Sequence, residues 1–395
     1  MKILLVDIGT GTQDIFLYDS RLDLENGFKL VLPSPTMMIR KRIKEATHGR
    51  KAILLSGRLM GGGPSAWAAA DHAKSGLPIY ATPEAALTLD DELEKVEALG
   101  VEVVSDDEAR RLPSSVVRLE MKDFDFDTIA AAFANFGVNL IDLRAVAVAV
   151  FDHGAAPPGV SDRQYRFDYL DERIRAYNSL TSFAYLTPQI PDFLTRFKAV
   201  ARSADPLDCP LIIMDTAPAA VLGATFDPQV GRLSKKIIAN IGNFHTLAFR
   251  LGPRGIEGVF EHHTGEIDTA RLVTLLRTLA DSSLTHEDVF SDMGHGALIY
   301  NPMPHRFGEA DFDVAITGPR RSLIQSTNTG GFNTHGTSEV LRPYFAVPFG
   351  DMMLTGCFGL LAATAELLPD IKDEVEASMI PSPNGSGSRV PWDIT

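Results

Sequence analysis

The sequence predicts an α/β protein built from two related halves, and three observations predict it. Residues 2–19 read KILLVDIGTGTQDIFLYD, two apolar runs around a glycine-bearing turn, which is the pattern of a β-hairpin. Residues 236–251 read KIIANIGNFHTLAFRL and repeat the plan, with Asn240 where the first copy has Asp7, Gly242 in the turn, and Thr246 ahead of the second run. Two such hairpins far apart in one chain point to duplicated halves facing one ligand. Between them, residues 51–105 alternate strand and helix signals, the mark of parallel pairing. At 395 residues the chain exceeds one ordinary core and divides into two or more domains.

In the first hairpin, Asp7 ends an apolar strand and is followed by Gly9, Thr10, Gly11 and Thr12. Glycines let backbone N–H groups face a bound anion, and threonine hydroxyls add donors. A carboxylate beside such a turn suits a hydrated Mg²⁺ ion; the alternative is an ordinary hairpin with a polar turn. Residues 28–33 (FKLVLP) continue as a third strand. Residues 38–47 form a helix whose Arg40, Lys41, Arg42 and Lys44 read as a solvated face. Strands at 52–55, 77–80 and 101–104 and helices at 66–74 and 91–99 make a small α/β insertion.

The turn opening that insertion, SGRLMGGGPS, lies between strand and helix, where helix N-termini bind anions. No Lys-Ser/Thr follows its glycines, so it is not a Walker loop; a flexible turn is the other reading. Trp67 beyond it reads as core. Residues 124–136 form an amphipathic helix, and 144–151 (RAVAVAVF) a fully buried strand. That strand runs into Asp152, His153 and Gly154. The carboxyl end of a central parallel strand opens onto a ligand crevice, which makes Asp152 and His153 candidates for a base or a metal contact; a turn capped by Asp152 is the alternative. Helical signals follow at 169–185 and 190–204, and a strand at 211–214 ends at Asp215.

His262 and His263 are adjacent and point to different faces of any regular element, with no matching third ligand in sequence. Residues 269–279 are helical, and His286, His295 and His305 fall in polar stretches that place them at the surface. A late strand begins at Asp313 and turns at Gly318 and Pro319 into Arg320 and Arg321. Residues 327–338 read as a Gly-rich lid and residues 382–395 as a flexible tail.

Together the two hairpins, MDTAPAAVLGA (214–224), DVAITGPRRSLIQ (313–325) and DMMLTGCFGLLAATAEL (351–367) resemble, in order, the motifs of the actin-like ATPase superfamily, which includes acetate and sugar kinases, heat-shock chaperone ATPases and actin. More narrowly the chain resembles a prokaryotic family within it sometimes labelled "putative pyruvate formate-lyase activating enzyme". The resemblance implies a two-lobed actin-like (ribonuclease H-like) fold. Residues 1–204 would form the first lobe, with the insertion at about 48–120, and 205–350 the second; 351–370 would return to the first lobe.

It further implies that Gly9, Thr10, Gly11 and Thr12, with Asn240, Gly242, Asn243 and Thr246, hold the phosphates of ATP. Gly318, Arg320 and Arg321 would lie at the adenosine, Asp7 would hold Mg²⁺ through water, and Asp215 would orient the attacking water. A chain of this kind is an ATPase or phosphotransferase with an unnamed acceptor, with Asp152 as base if the acceptor is a small molecule. Asn240 departs from the family's usual aspartate. An amide neither binds a cation as a carboxylate does nor acts as a base, which favours an alternative: a nucleotide-sensing binding or assembly protein with little turnover.

Composition bounds these readings. Apolar and charged fractions of 45% and 22% are those of a soluble globular protein. A net charge of −14 argues against nucleic acid or an anionic membrane as partner; a nucleotide, a small-molecule acceptor and self-association stay open. Two cysteines, Cys209 and Cys357, exclude a disulfide framework and suit a reducing cytoplasm. They also fall short of the cysteine triplet that an iron–sulfur radical activase requires, so that chemistry is rejected.

Overall fold

The computed structural model describes residues 1–205, 207–325 and 341–380. The expected lid at 327–338 and the tail at 382–395 lie outside the described residues. The chain opens with β1 (Lys2–Ile8), β2 (Thr12–Asp19) and β3 (Phe28–Pro33), an antiparallel meander. A separate, all-parallel sheet follows: β4 (Ile53–Gly57), β5 (Ile79–Ala81), β6 (Glu102–Val103) and β7 (Val117–Met121), in the order β6-β5-β4-β7. Then come β8 (Leu143–Val150), β9 (Ala184–Leu186) and β10 (Leu211–Asp215). The remainder supplies β11 (Lys236–Ile241), β12 (His245–Gly252), β13 (Gly255–His263), β14 (Gly296–Ile299), β15 (Val314–Thr317) and β16 (Pro343–Phe345).

Two six-stranded sheets share one plan. The first runs β3-β2-β1-β8-β10-β9 and the second β14-β13-β12-β11-β15-β16. In each, the first strand of a hairpin is central, its antiparallel partner lies on one side, and a parallel strand lies on the other: β8 beside β1, β15 beside β11. The ends of β1, β8 and β10, and of β11 and β15, therefore open toward the same side as the hairpin turns.

Local sequence explains the central strands. In β8, Val146, Val148 and Val150 enter one core and Ala145, Ala147 and Ala149 another, because successive side chains alternate across a sheet. The alanine face is small because the helix Thr355–Leu367 packs directly on it. That helix is apolar on nearly every side, as expected of a helix buried all round: the first sheet lies on one flank and the helix Thr216–Ala224 on another. The two helices cross almost backbone to backbone. A Cβ added at Gly223 would lie 1.7 Å from the Thr355 carbonyl oxygen, and one at Gly359 would lie 1.8 Å from that of Ala219. Only glycine allows this approach.

Several elements differ from the sequence reading. The expected helix at 169–185 runs Asp162–Tyr177 and stops where Asn178 adopts a left-handed conformation. Residues 184–186 form the edge strand β9, which the short AYL segment did not announce. Trp67 is 61% exposed rather than core, its ring against Phe244. No helix among the described residues is long and apolar enough to cross a membrane.

Candidate functional site

The two hairpin turns meet at a cavity of about 330 Å³. Each is closed by the same bond: Gly9 N–H donates to the Thr12 carbonyl at 2.9 Å, and Gly242 N–H to the His245 carbonyl at 2.9 Å. Their tips are close enough that a Cβ on Gly11 would stand 2.8 Å from Asn243 Nδ2. Around them the cavity is walled by Leu59–Gly63 in the turn after β4, by Asp152–Gly154, by Thr216 at the start of its helix, by Thr317–Pro319, and by Met352, Met353, Thr355 and Gly356.

The cavity is acidic. Five carboxylates line it (Asp7, Asp14, Asp91, Asp123, Asp152) against two guanidiniums, Arg196 and Arg321. Hairpin register sets Asp7 directly opposite Asp14. Asp7 accepts a 2.6 Å bond from Thr216 Oγ1. Burial raises its pKa to about 6, opposed by that bond and reinforced by the charge of Asp215. Burial and the facing Asp7 raise Asp14 to about 8, with the Thr12 hydroxyl opposing. Neither carboxylate has a salt-bridge partner among the described residues. Asp14 was missed in the sequence, although a three-residue turn after Ile8 fixes its register against Asp7.

Most of the expected residues converge here: Asp7, Gly9, Thr10, Gly11, Thr12, Asp152, Asn240, Gly242, Asn243, Gly318 and Arg321 all line the cavity. Thr246 does not; it is fully buried, its hydroxyl 2.9 Å from that of Thr264. Arg320 is exposed off the cavity, and its N–H donates to the Ile241 carbonyl at 3.0 Å. Gly318, at φ +98°, packs the late turn onto the second hairpin, where a Cβ would stand 2.4 Å from the Ile241 carbonyl oxygen. Arg321 Nη1 donates to the Gly318 carbonyl at 3.2 Å.

The two expected catalytic carboxylates are already engaged. Asp152 accepts from Gly154 N–H at 2.8 Å and from Phe197 N–H at 3.0 Å, one bond on each oxygen. Asp215 lies behind the cavity wall, caps its helix through Ala217 N–H at 3.2 Å, and pairs with Arg166. The Gly-rich turn is not loose either. Gly61 N–H donates to both oxygens of Asp123, which also holds Arg196 in a bidentate pair at 2.7 and 3.0 Å.

A second cluster adjoins the cavity, and one expectation is corrected by it. His295 is not a surface residue but fully buried. With His153 and His245 it forms a triangle of rings whose centroids are 5.1 to 5.6 Å apart. His263 stands 5.0 Å from His245 and 4.7 Å from His295. Burial first, and neighbouring cationic groups second, lower His153 to about 3 and push His245 and His295 far below the usual range. His286 is half-buried, its ring against Phe167 and Phe290.

Behind the imidazoles lies Arg166, fully buried. It bonds Asp215, Glu261 (3.3 Å) and the Asp152 carbonyl (3.1 Å), and its guanidinium sits 4.5 Å over the Phe151 ring. Phe151 in turn stacks flat on His245 at 4.1 Å. Burial raises Glu261 to about 7 against the pull of Arg166. No sequence motif joins these groups, which lie on β13, on the helix Asp162–Tyr177 and at three separate strand ends.

A family model described as "Putative pyruvate format-lyase activating enzyme (DUF1786)" matches residues 60–323. No curated protein matches the chain. Among solved structures, a ROK hexokinase from Thermus thermophilus is similar at 11% identity and a TM-score of 0.23, over 65% of this chain and 48% of that one. The match thus spans about half the length of that hexokinase. A "putative N-acetylmannosamine kinase" from Listeria monocytogenes is similar at 10% identity and a TM-score of 0.34, over 93% of this chain and 99% of that one.

Proposed function

The chain belongs to the family described as "Putative pyruvate format-lyase activating enzyme (DUF1786)", and we propose that its cavity binds a nucleoside triphosphate with Mg²⁺ and supports slow phosphoryl transfer or hydrolysis. The observation that carries this reading is the meeting of two identically closed Gly-bearing turns beside a buried carboxylate pair that has no cationic partner among the described residues. Turns of this kind aim N–H groups at phosphate oxygens. An acid-lined cavity repels a polyphosphate unless a cation intervenes, and Asp7 and Asp14 fit a hydrated Mg²⁺, which takes one or two carboxylates and keeps its waters. Bound there, Mg²⁺ would neutralise charge on the phosphates, which with positioning is most of what phosphoryl transfer requires. Gly9 to Thr12 and Asn240 to Asn243 would hold the phosphates, and Gly318 and Arg321 the base end.

In this reading the two similar sheets are the lobes of an actin-like fold. The helices Thr216–Ala224 and Thr355–Leu367 would be the hinge between them, and the parallel sheet β4–β7 an insertion. Asp215 would act by holding Arg166 rather than by touching water. A second reading, a nucleotide sensor with little turnover, is favoured by a specific observation: both candidate bases, Asp152 and Asp215, already accept bonds, and Asn240 carries no charge. The family label's radical chemistry is not part of the proposal, since two cysteines cannot supply a three-thiolate cluster site.

Calorimetry of Mg·ATP against wild type and Asp7→Asn tests the proposal. Tight wild-type binding that needs Mg²⁺ and disappears in the variant is expected. Binding of ATP that ignores both Mg²⁺ and the substitution would overturn it. Single-turnover hydrolysis then separates the two readings.

A further inference from the structure

We propose that His153, His245 and His295 form a binding site for a late first-row divalent metal of the zinc class, with its fourth position open to the cavity. The ligating atoms of the three side chains all lie within 4.8 Å of one another. A tetrahedral ion with metal–nitrogen bonds of about 2.0–2.1 Å places its nitrogens about 3.3 Å apart, so modest ring rotations close the site. The three residues come from different parts of the fold: the end of β8, the turn of the second hairpin, and the entry to β14. The packed sheets, not local sequence, hold them together.

A second observation points to a ligand. Among the described residues, His245 Nε2 and both ring nitrogens of His295 are buried without a hydrogen-bond partner. Buried polar atoms are rarely left so, because an unmet donor or acceptor keeps its full desolvation cost. A metal ion satisfies nitrogens that hydrogen bonds do not reach.

The surroundings complete the pattern. Glu261 Oε1 lies 3.7 Å from His295 Nδ1 and has no hydrogen-bond partner of its own. A carboxylate behind a ligating imidazole fixes its tautomer and raises its basicity. Phe151, stacked on His245, fixes the plane of that ring. Arg166 adds a positive charge nearby, with which Asp215 and Glu261 both pair; Arg163 is a second cation that acts on His263 and His295. His153 and His245 line the cavity while His295 is sealed behind them. Three protein ligands with an open side is the arrangement of catalytic rather than structural zinc, and the open position would take water or an oxygen of a substrate in the cavity. Imidazole nitrogens select zinc, copper, iron or nickel over Mg²⁺. This site is therefore distinct from the Asp7–Asp14 pair and does not rest on the nucleotide reading.

The test uses the full chain, stripped with chelator and loaded with ZnSO₄, MgCl₂ or CoCl₂. One zinc per chain should survive gel filtration, with no competition from a thousandfold excess of Mg²⁺. Co²⁺ should give the strong visible bands of a four- or five-coordinate nitrogen site. His153→Ala and His245→Ala should each weaken zinc by about 100-fold or more, since even loss of an outer partner costs 10–100-fold. Thermal melts of the metal-free variants check that they fold. Zinc retention unchanged in both folded variants overturns the proposal. Should the variants fail to fold, a wild-type Co²⁺ spectrum showing only hydrated ion overturns it instead.

Discussion

Replacing Asp14 with asparagine should stabilise the metal-free protein at neutral pH and at the same time abolish its Mg²⁺-dependent nucleotide binding. Asp14 and Asp7 face each other across the first hairpin, both more than nine-tenths buried. Their pKa values rise from 3.8 to about 8 and about 6 respectively. A carboxyl whose folded pKa is raised binds its proton more tightly in the native state. The stability it contributes is complete below pH 3.8 and is lost as pH rises, through about 6 for Asp7 and about 8 for Asp14. At about 1.36 kcal/mol per pH unit between folded and unfolded values, the Asp14 gap corresponds to on the order of 5 kcal/mol. The charge of Asp7 contributes to the Asp14 shift, so the two costs do not add. Asparagine keeps the shape and removes the buried charge, and about 2–4 kcal/mol should return at pH 8 on the same basis. Urea unfolding at pH 5, 7 and 9 in EDTA measures this: wild-type stability should fall across the range and the variant's should fall less. Added Mg²⁺ should restore the wild type by mass action and leave the variant unchanged. A variant less stable than wild type at pH 8, or with the same pH slope, would refute the account of an uncompensated acid pair.

Three further outcomes follow from the same geometry. Arg321 lines the cavity and Arg320 does not, so Arg321→Ala should weaken ATP by about two- to thirty-fold, the range of a cation on a π-face at about 0.5–2 kcal/mol. Arg320→Ala should leave titration calorimetry unchanged, and tripolyphosphate should bind both variants like wild type. Gly223→Val forces side-chain atoms into the Thr355 backbone; loss of at least the 1–3 kcal/mol of ordinary overpacking should appear in denaturant midpoints. Asn240→Asp should raise single-turnover hydrolysis in Mg²⁺, and an unchanged rate would place the slow step elsewhere.

The fold was legible where one short stretch holds the whole signal. Both hairpins, the parallel strands of the insertion and the buried run RAVAVAVF depend on local alternation and turn residues, and the structure has strands at each. The two hairpin turns and the late Gly318 turn were legible for the same reason. What sequence could not carry was occupancy. Nothing adjacent to Asp215 announces that Arg166, on a helix 49 residues earlier, neutralises it. Nothing near Asp152 shows that Phe197 N–H takes one of its oxygens. Trp67 read as core because large aromatics usually are, yet it stands exposed on Phe244. The histidines failed hardest. Metal motifs are recognised by close spacing, and His153, His245 and His295 have none; only the packing of one sheet's strand ends against the other's brings them together.

The two hairpins differ at equivalent positions, and the difference gives the cavity two unlike ends. In the first, register pairs Asp7 with Asp14; in the second, the corresponding pair is Asn240 with Leu247. The second hairpin therefore offers no carboxylate pair for a hard cation such as Mg²⁺, whereas the first does. What the second turn carries instead is His245, a nitrogen ligand in the residue whose carbonyl closes the turn. One hairpin presents carboxyl oxygens, the other an imidazole, to the same cavity. If both ends bind as proposed, Mg²⁺ and a zinc-class ion would sort by ligand chemistry rather than by cavity size. Loading either metal would then leave the other's affinity nearly unchanged when each is titrated in the presence of the other. Mutual displacement would mean that a single ion moves between them.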